Sequence, residues 1–253
     1  MKNSILVLSI VLGMVFGFSG AALAGRPLCT DDAGTVGPGH VEVELGWEYA
    51  KQPNDDKENA LTLGLTTGII WDRLDLGVET PYMWLNVNEG NNVDGIGDLL
   101  VRFKLRFIDE TDKFPALAVT LGGKTTTGNS KKGLGTGEVD FVANFIATKE
   151  MGRVTLHGNV GHNATGDVAE EQEFNLVNLG LAGEFSVNEQ ITLVSEIYAE
   201  IATEDIDEEN PLDILVGATY ELPIGTVLDF GVAAGLTNGS PDYRITLGMT
   251  HEF

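Results

Sequence analysis

One cysteine, Cys29, occurs in the 253 residues, so no intrachain disulfide can form even in an oxidising compartment. Basic residues are scarce, 15 against 38 acidic ones for a formal charge of −23, and that balance excludes a general affinity for nucleic acid. Only 8 residues are proline, while 32 are glycine, a composition that suits strands and turns better than helices. Beyond residue 24 no apolar run approaches the length needed to cross hydrocarbon as a helix. If the mature chain lies in a membrane it must therefore do so as a closed barrel, which satisfies its backbone through inter-strand hydrogen bonds.

The first 24 residues read as a cleaved secretory signal: Lys2 supplies the charge, Ile5 to Phe18 the apolar stretch, and Ala22-Leu23-Ala24 the small-residue cleavage site. The apolar stretch is short for a membrane anchor, and Leu28 is too bulky for the position preceding a lipid-modified Cys29. Gly25 is expected to begin the mature chain. Residues 25–38 do not read as strand and carry Asp31-Asp32. They have two readings: a periplasmic lead-in that orders the first strand, the default for a terminus, or a plug folded back into a lumen.

Residues 39–253 alternate apolar and polar at period two, in segments separated by turn chemistry. In the first, Val41, Val43, Leu45, Trp47 and Tyr49 face one way and Glu42, Glu44, Gly46 and Glu48 the other. The clearest sets Leu99, Val101, Phe103, Leu105 and Phe107 against Arg102, Lys104 and Arg106. The pattern predicts an all-β, closed antiparallel transmembrane β-barrel of about twelve strands: 40–49, 61–69, 74–84, 99–107, 115–124, 138–148, 154–163, 174–185, 191–201, 212–221, 227–236 and 242–253. Short connections (70–73, 109–114, 149–153, 186–190, 223–226) alternate with generally longer polar ones (51–58, 88–94, 125–137, 164–173, 202–211, 237–241). Short periplasmic turns and longer external loops have this arrangement in an even-stranded barrel, with both termini on the periplasmic side.

A soluble sandwich alternates too, but it shows its charged face to water. Here one face is apolar or aromatic in nearly every strand, and Trp47, Tyr49, Tyr82, Trp84, Tyr220 and Tyr243 fall near expected strand ends on that face, as interfacial girdles do. The chain closes on Phe253, with Met249, Leu247, Ile245 and Tyr243 at even steps before it. This ending resembles the terminal strand read by the outer-membrane assembly machinery, with His251 a departure. The expected partners are that machinery, outer-membrane lipid and lipopolysaccharide, and a small-molecule permeant.

On the opposite phase Arg102, Lys104 and Arg106 form a basic ladder, and Glu42, Glu44, Glu48, Asp75, Glu79, Glu184 and Glu196 supply inward carboxylates. Either the charges form a constriction that orients a permeating solute, or they pair to neutralise a filled interior. Two external loops are acidic, one with Asp167, Glu170, Glu171 and Glu173, the other with Glu204, Asp205, Asp207, Glu208 and Glu209. Clustered carboxylates suit calcium, but the spacing matches no EF-hand loop, so a solvated, anion-repelling surface is the better reading and no metal site is assigned. An enzymatic reading would draw on His157, Asn159, His162, Asn163 and Ser240, but the histidines are on opposite phases and no Gly-x-Ser-x-Gly elbow occurs. No catalytic residue is assigned and no cofactor is implied.

Four stretches spread over the mature chain resemble one family of outer-membrane transporters, labelled a meta-pathway phenol-degradation group. They are Arg26 to Val36, Gly95-Ile-Gly-Asp-Leu99 running into Arg102-Phe-Lys104, Gly133-Leu-Gly-Thr-Gly137, and Ser240-Pro-Asp242. The first is the most specific. Lys124-Thr-Thr-Thr-Gly128 departs from the family's usual proline before Thr-Gly. The resemblance implies an outer-membrane channel for hydrophobic or aromatic compounds. The alternatives are a non-conducting structural or surface-interaction barrel and, less favoured, a lipid-processing enzyme.

Overall fold

A computed structural model describes residues 25–88, 90, 92–164, 175–203 and 209–253. The signal segment and the acidic-loop residues Asp167, Glu170, Glu171, Glu173, Glu204, Asp205, Asp207 and Glu208 lie outside the described residues.

Thirteen strands form: β1 (Val41–Lys51), β2 (Lys57–Ile70), β3 (Leu74–Asn86), β4 (Val93–Ile96), β5 (Leu100–Ile108), β6 (Ala116–Lys124), β7 (Asp140–Met151), β8 (Val154–Ala164), β9 (Asn175–Ser186), β10 (Ile191–Ala202), β11 (Leu212–Glu221), β12 (Thr226–Gly235) and β13 (Tyr243–Glu252). Every pairing between them is antiparallel, and β1 pairs with both β2 and β13, which closes the ring. Twelve strands make the wall. No helix among the described residues is long and apolar enough to cross a membrane; a barrel crosses with strands.

The thirteenth strand corrects the expected loop 88–94. Glu79 pairs with Leu100, and Tyr82 pairs with Ile96, so β4 and β5 descend along β3 as one strand broken at residues 97–99. Pairing between β5 and β6 begins only at Leu100–Lys124, so β6 does not continue the ladder along β4. Asp98, at the break, stitches the wall to the following long loop: its carboxylate accepts the Gly128 N–H at 2.8 Å and the Thr136 N–H at 3.1 Å. Leu134 from that loop is buried with Met83 and Leu85 inside the barrel. The two glycine-rich stretches around 95–99 and 133–137 therefore form one structural unit. Asp98→Ala leaves both amides without their acceptor, and the expected local cost is about 1–3 kcal/mol. Amide exchange at Gly128 and Thr136 should accelerate while the rest of the barrel keeps its protection.

Alternation sets the faces as the period-two rule requires. Leu63, Phe103, Leu121, Leu181 and Val216 point outward and are 43%, 48%, 56%, 63% and 59% exposed. Glu44, Asp75, Glu79, Arg102, Lys104, His157 and Glu196 point inward and are buried. The interior is polar and the exterior apolar, the reverse of a soluble domain and the arrangement that lipid solvates. Among the girdle residues, Tyr82 and Trp84 pack at 4.8 Å between ring centres and Tyr49 meets Tyr243 at 5.9 Å, both pairs near the long-loop ends of their strands. Trp47 sits nearer mid-strand than the pattern suggested, at 6.5 Å from Tyr49.

Candidate functional site

The interior is not an open tube. Residues 26–38 lie inside it and meet the barrel strands in turn around the wall. The Arg26 side chain donates to Asp229 on β12 at 3.4 Å and to the Leu247 carbonyl on β13 at 3.1 Å. Leu28 is buried against Ala182, Val194, Leu215 and Ala233, from β9 to β12. The Cys29 and Thr30 N–H groups both donate to one oxygen of Glu196 on β10, at 2.7 and 2.8 Å. Asp31 exchanges two 2.8 Å bonds with the Asn159 amide on β8, through its own N–H and carbonyl. The Ala33 N–H reaches Thr148 on β7 at 2.9 Å, and the Val36 N–H reaches Asp75 on β3 at 2.9 Å. Pro38 then bridges to Gly68 on β2 just before β1 begins. The segment from Arg26 to Val36 therefore follows the inner face of the wall before the first strand begins.

Two features make the path possible. A segment without secondary structure carries backbone N–H groups that need acceptors once shielded from water, and inward Glu196, Asp75, Asn159 and Thr148 provide them. Strand glycines provide the room. A Cβ on Gly46 would stand 2.2 Å from the Arg26 guanidinium, and one on Gly180 would stand 2.4 Å from the Thr30 hydroxyl. Glycine on the inner face of a strand marks such a close backbone approach.

The basic ladder divides. Lys104 bonds Asp31 at 2.8 Å and lies 3.9 Å from Asp32; Arg102 lies 3.8 Å from Asp31. Among the described residues no other acidic group stands within 4.0 Å of either cation. Arg106 instead turns to the rim, donating to the Asp72 carbonyl at 2.7 Å and pairing with Asp109 at 3.3 Å. At the same rim Lys149 hydrogen-bonds Glu110 and, with the Glu150 N–H behind it, holds that carboxyl below its ordinary range.

The inward carboxylates are not a uniform ring. Glu196 and Asp75 hold backbone amides rather than cations. Glu44 accepts from Thr250 at 3.5 Å, and Glu48 lies 4.0 Å from Arg244. Glu184 lies 3.4 Å from His157, and Glu42 borders the cavity at the short-turn end. Glu79 is buried near mid-barrel with one oxygen outside any hydrogen bond. Glu209 is the one acidic-loop residue within the described set, where it caps the Asn238 N–H at 2.9 Å. At the closing end Phe253 exchanges backbone bonds with Val41, and its ring is 71% exposed.

Sequence reasoning left several lumen residues unassigned: Arg26, Asp213, Asp229 and Arg244. Arg244 pairs with Asp213 at 2.9 Å. Its phase was available, since it alternates with outward Tyr243 and Ile245, but its partner sits on a strand 31 residues away. Ser240 is tied to the Leu212 backbone through both its donor and its acceptor. Thr148 Oγ1 accepts the Ala33 N–H and lies 3.0 Å from His157 Nδ1, and the other ring nitrogen of His157 faces Glu184 at 3.4 Å.

Cavities flank the segment. Two, of about 340 and 490 Å³, lie toward the short-turn end and share Asp32, Gly34 and Glu184 in their linings. A third, of about 60 Å³, lies toward the long-loop end beside Leu100, Val142, Asn163 and Tyr198. Arg102 borders both the first and the third, so the Asp31–Arg102 level divides the two spaces.

The family model described as "Putative MetA-pathway of phenol degradation" matches residues 24–253. No curated protein matches the sequence. Among solved structures the COG4313 outer membrane channel from Pseudomonas putida F1 is similar at a TM-score of 0.73 and 14% identity, covering 88% of this chain and 98% of that one. The NanC porin is similar at 0.58 and 8%, covering 83% and 98%. The translocator domain of the autotransporter NalP from Neisseria meningitidis is similar at 0.56 and 12%, covering 99% and 98%. At these identities the likeness concerns the fold.

Proposed function

Because the chain belongs to the phenol-degradation family whose model spans residues 24–253, we propose that it is an outer-membrane channel for small hydrophobic or aromatic solutes, closed in its resting state by residues 25–38. The observation that carries this reading is the circuit of hydrogen bonds from Arg26 to Val36, which fills the lumen at mid-depth between larger cavities at one end and a small one at the other. An apolar exterior on wall strands of 9–14 residues supports a position in a bilayer, where a tilted strand needs about 9–11 residues to cross. The channel-named structures of the same fold agree with that placement.

The short turns face the periplasm and the long loops the outside, as export of both termini from the inner side requires. The segment then works as a plug: it sits across the route, and its bonds to the wall are polar and exchangeable with water. A filled lumen also favours the second reading, a barrel that never conducts. Flux separates the two. Mature protein refolded into liposomes should admit simple aromatic compounds faster than protein-free vesicles do, with small-ion flux low. A verified folded barrel that admits neither would leave the non-conducting reading in place.

A further inference from the structure

We infer that the seat of Asp31 is a carboxylate-binding site, and that the permeant which opens the channel is a small organic acid, an apolar body carrying one carboxylate. This rests on the plug reading and names the solute class for it.

Lys104 and Arg102 are cations on the inner wall, each about nineteen-twentieths buried by the residual exposures of 5% and 6%. Their only acidic neighbours within 4.0 Å among the described residues are Asp31 and Asp32, both of which belong to the plug. A wall built simply to neutralise itself would draw its closest partners from its own strands, as Arg244 does with Asp213 on β11 and Glu48 on β1. The closest partners of these two cations instead come from the leading segment. When the plug leaves, they lose their closest partners and keep only the longer-range attraction of Glu44, Asp75 and Glu79 on the wall, which water supplements less well than a carboxylate in a confined lumen. A soluble carboxylate restores the pairing.

The geometry around Asp31 suits exchange. One carboxylate oxygen takes the Lys104 bond at 2.8 Å; the other has no hydrogen-bond partner and stands 3.8 Å from Arg102. The plug therefore leaves part of the available binding unused, which an unconstrained carboxylate can claim by approaching both cations. The Asn159 amide is engaged by the Asp31 backbone and becomes available for a further hydrogen bond when the backbone withdraws. On the long-loop side the seat opens to the small cavity, where Leu100, Val142 and Tyr198 stand beside the asparagines. Apolar wall and cationic floor together fit an organic acid better than a neutral phenol or a bare inorganic anion.

Vacating the seat tests this directly. Asp31→Ala removes the carboxylate but keeps the backbone groups that bond Asn159. In calorimetry on the refolded full mature chain, benzoate should bind this variant at least tenfold more tightly than it binds the parent. Adding Lys104→Gln to Asp31→Ala should abolish the gain. Equal binding of benzoate and benzyl alcohol to Asp31→Ala, or no gain over the parent, overturns the assignment. If Asp31→Ala does not fold, Arg102→Gln in the parent chain takes its place: it should lower benzoate affinity, and unchanged affinity overturns the assignment. Failure of the plug reading is distinguishable, because it appears in the conductance of a plug deletion and not in benzoate binding.

Discussion

Deleting residues 26–36 should raise the single-channel conductance of the refolded barrel at least several-fold. The segment meets the wall through backbone donors to Glu196, Asn159, Thr148 and Asp75, and through the Asp31–Lys104 pair. Those wall groups are polar and inward whether or not the segment is present, so water replaces the plug as their partner without demanding a new fold. The strands keep their ladders, because no strand hydrogen bond between β1 and β13 depends on residues before Val41. A point substitution gives an independent route to the same result. A valine at Gly46 places its first carbon where the Arg26 guanidinium now lies, so Gly46→Val should evict the start of the plug and raise conductance in part. Planar-bilayer recordings decide the matter. Parent-like conductance in a folded deletion variant removes the plug from the mechanism and leaves the lumen closed by its own wall.

The second large effect concerns the outer face. Ile197 lies mid-strand on β10, points outward between Leu181 and Ile214, and is 49% exposed. Replacing it with arginine places a charge in hydrocarbon, with an expected loss of about 2–4 kcal/mol near the bilayer midplane. Urea unfolding from vesicles should show the loss as a lower midpoint with an unchanged slope. Its neighbour Glu196 makes the contrast: one residue along, a native charge is tolerated because it faces the lumen and receives two N–H bonds. A stability loss below ~0.5 kcal/mol for Ile197→Arg would mean that this face is not in contact with lipid, since surface changes in water commonly stay within that range.

The barrel was legible because its information is local. Alternation at period two assigns each side chain to a face without reference to any partner, and so Glu44, Asp75, Arg102, Lys104 and Glu196 were placed inward from sequence, as the structure has them. What the charges touch was not legible. Lys104 finds Asp31 across 73 positions and Glu196 finds Thr30 across 166, and neither distance leaves a periodic trace. The split of the descending strand into β4 and β5 was missed for a related reason. Gly95 adopts φ of 155°, and Gly97 lies against Pro81 and Met83, so the chain bends where alternation alone predicts a loop. One signal of the segment's course inside the barrel was present in the sequence. Inward glycines such as Gly46, Gly180 and Gly248 alternate with the polar residues, and each is a place where another segment of backbone or side chain comes close.

Gly46 and Gly248 are also register partners across the junction of the first and last strands, and the Arg26 guanidinium lies over both. The cradle is complete only when β13 has paired with β1, so the seat of Arg26 depends on the closed seam. A seam slipped by one residue would set one glycine against an outward-facing neighbour, so that the two no longer share the inner face beneath the arginine. The leading segment thereby spans the join between the two ends of its own sheet.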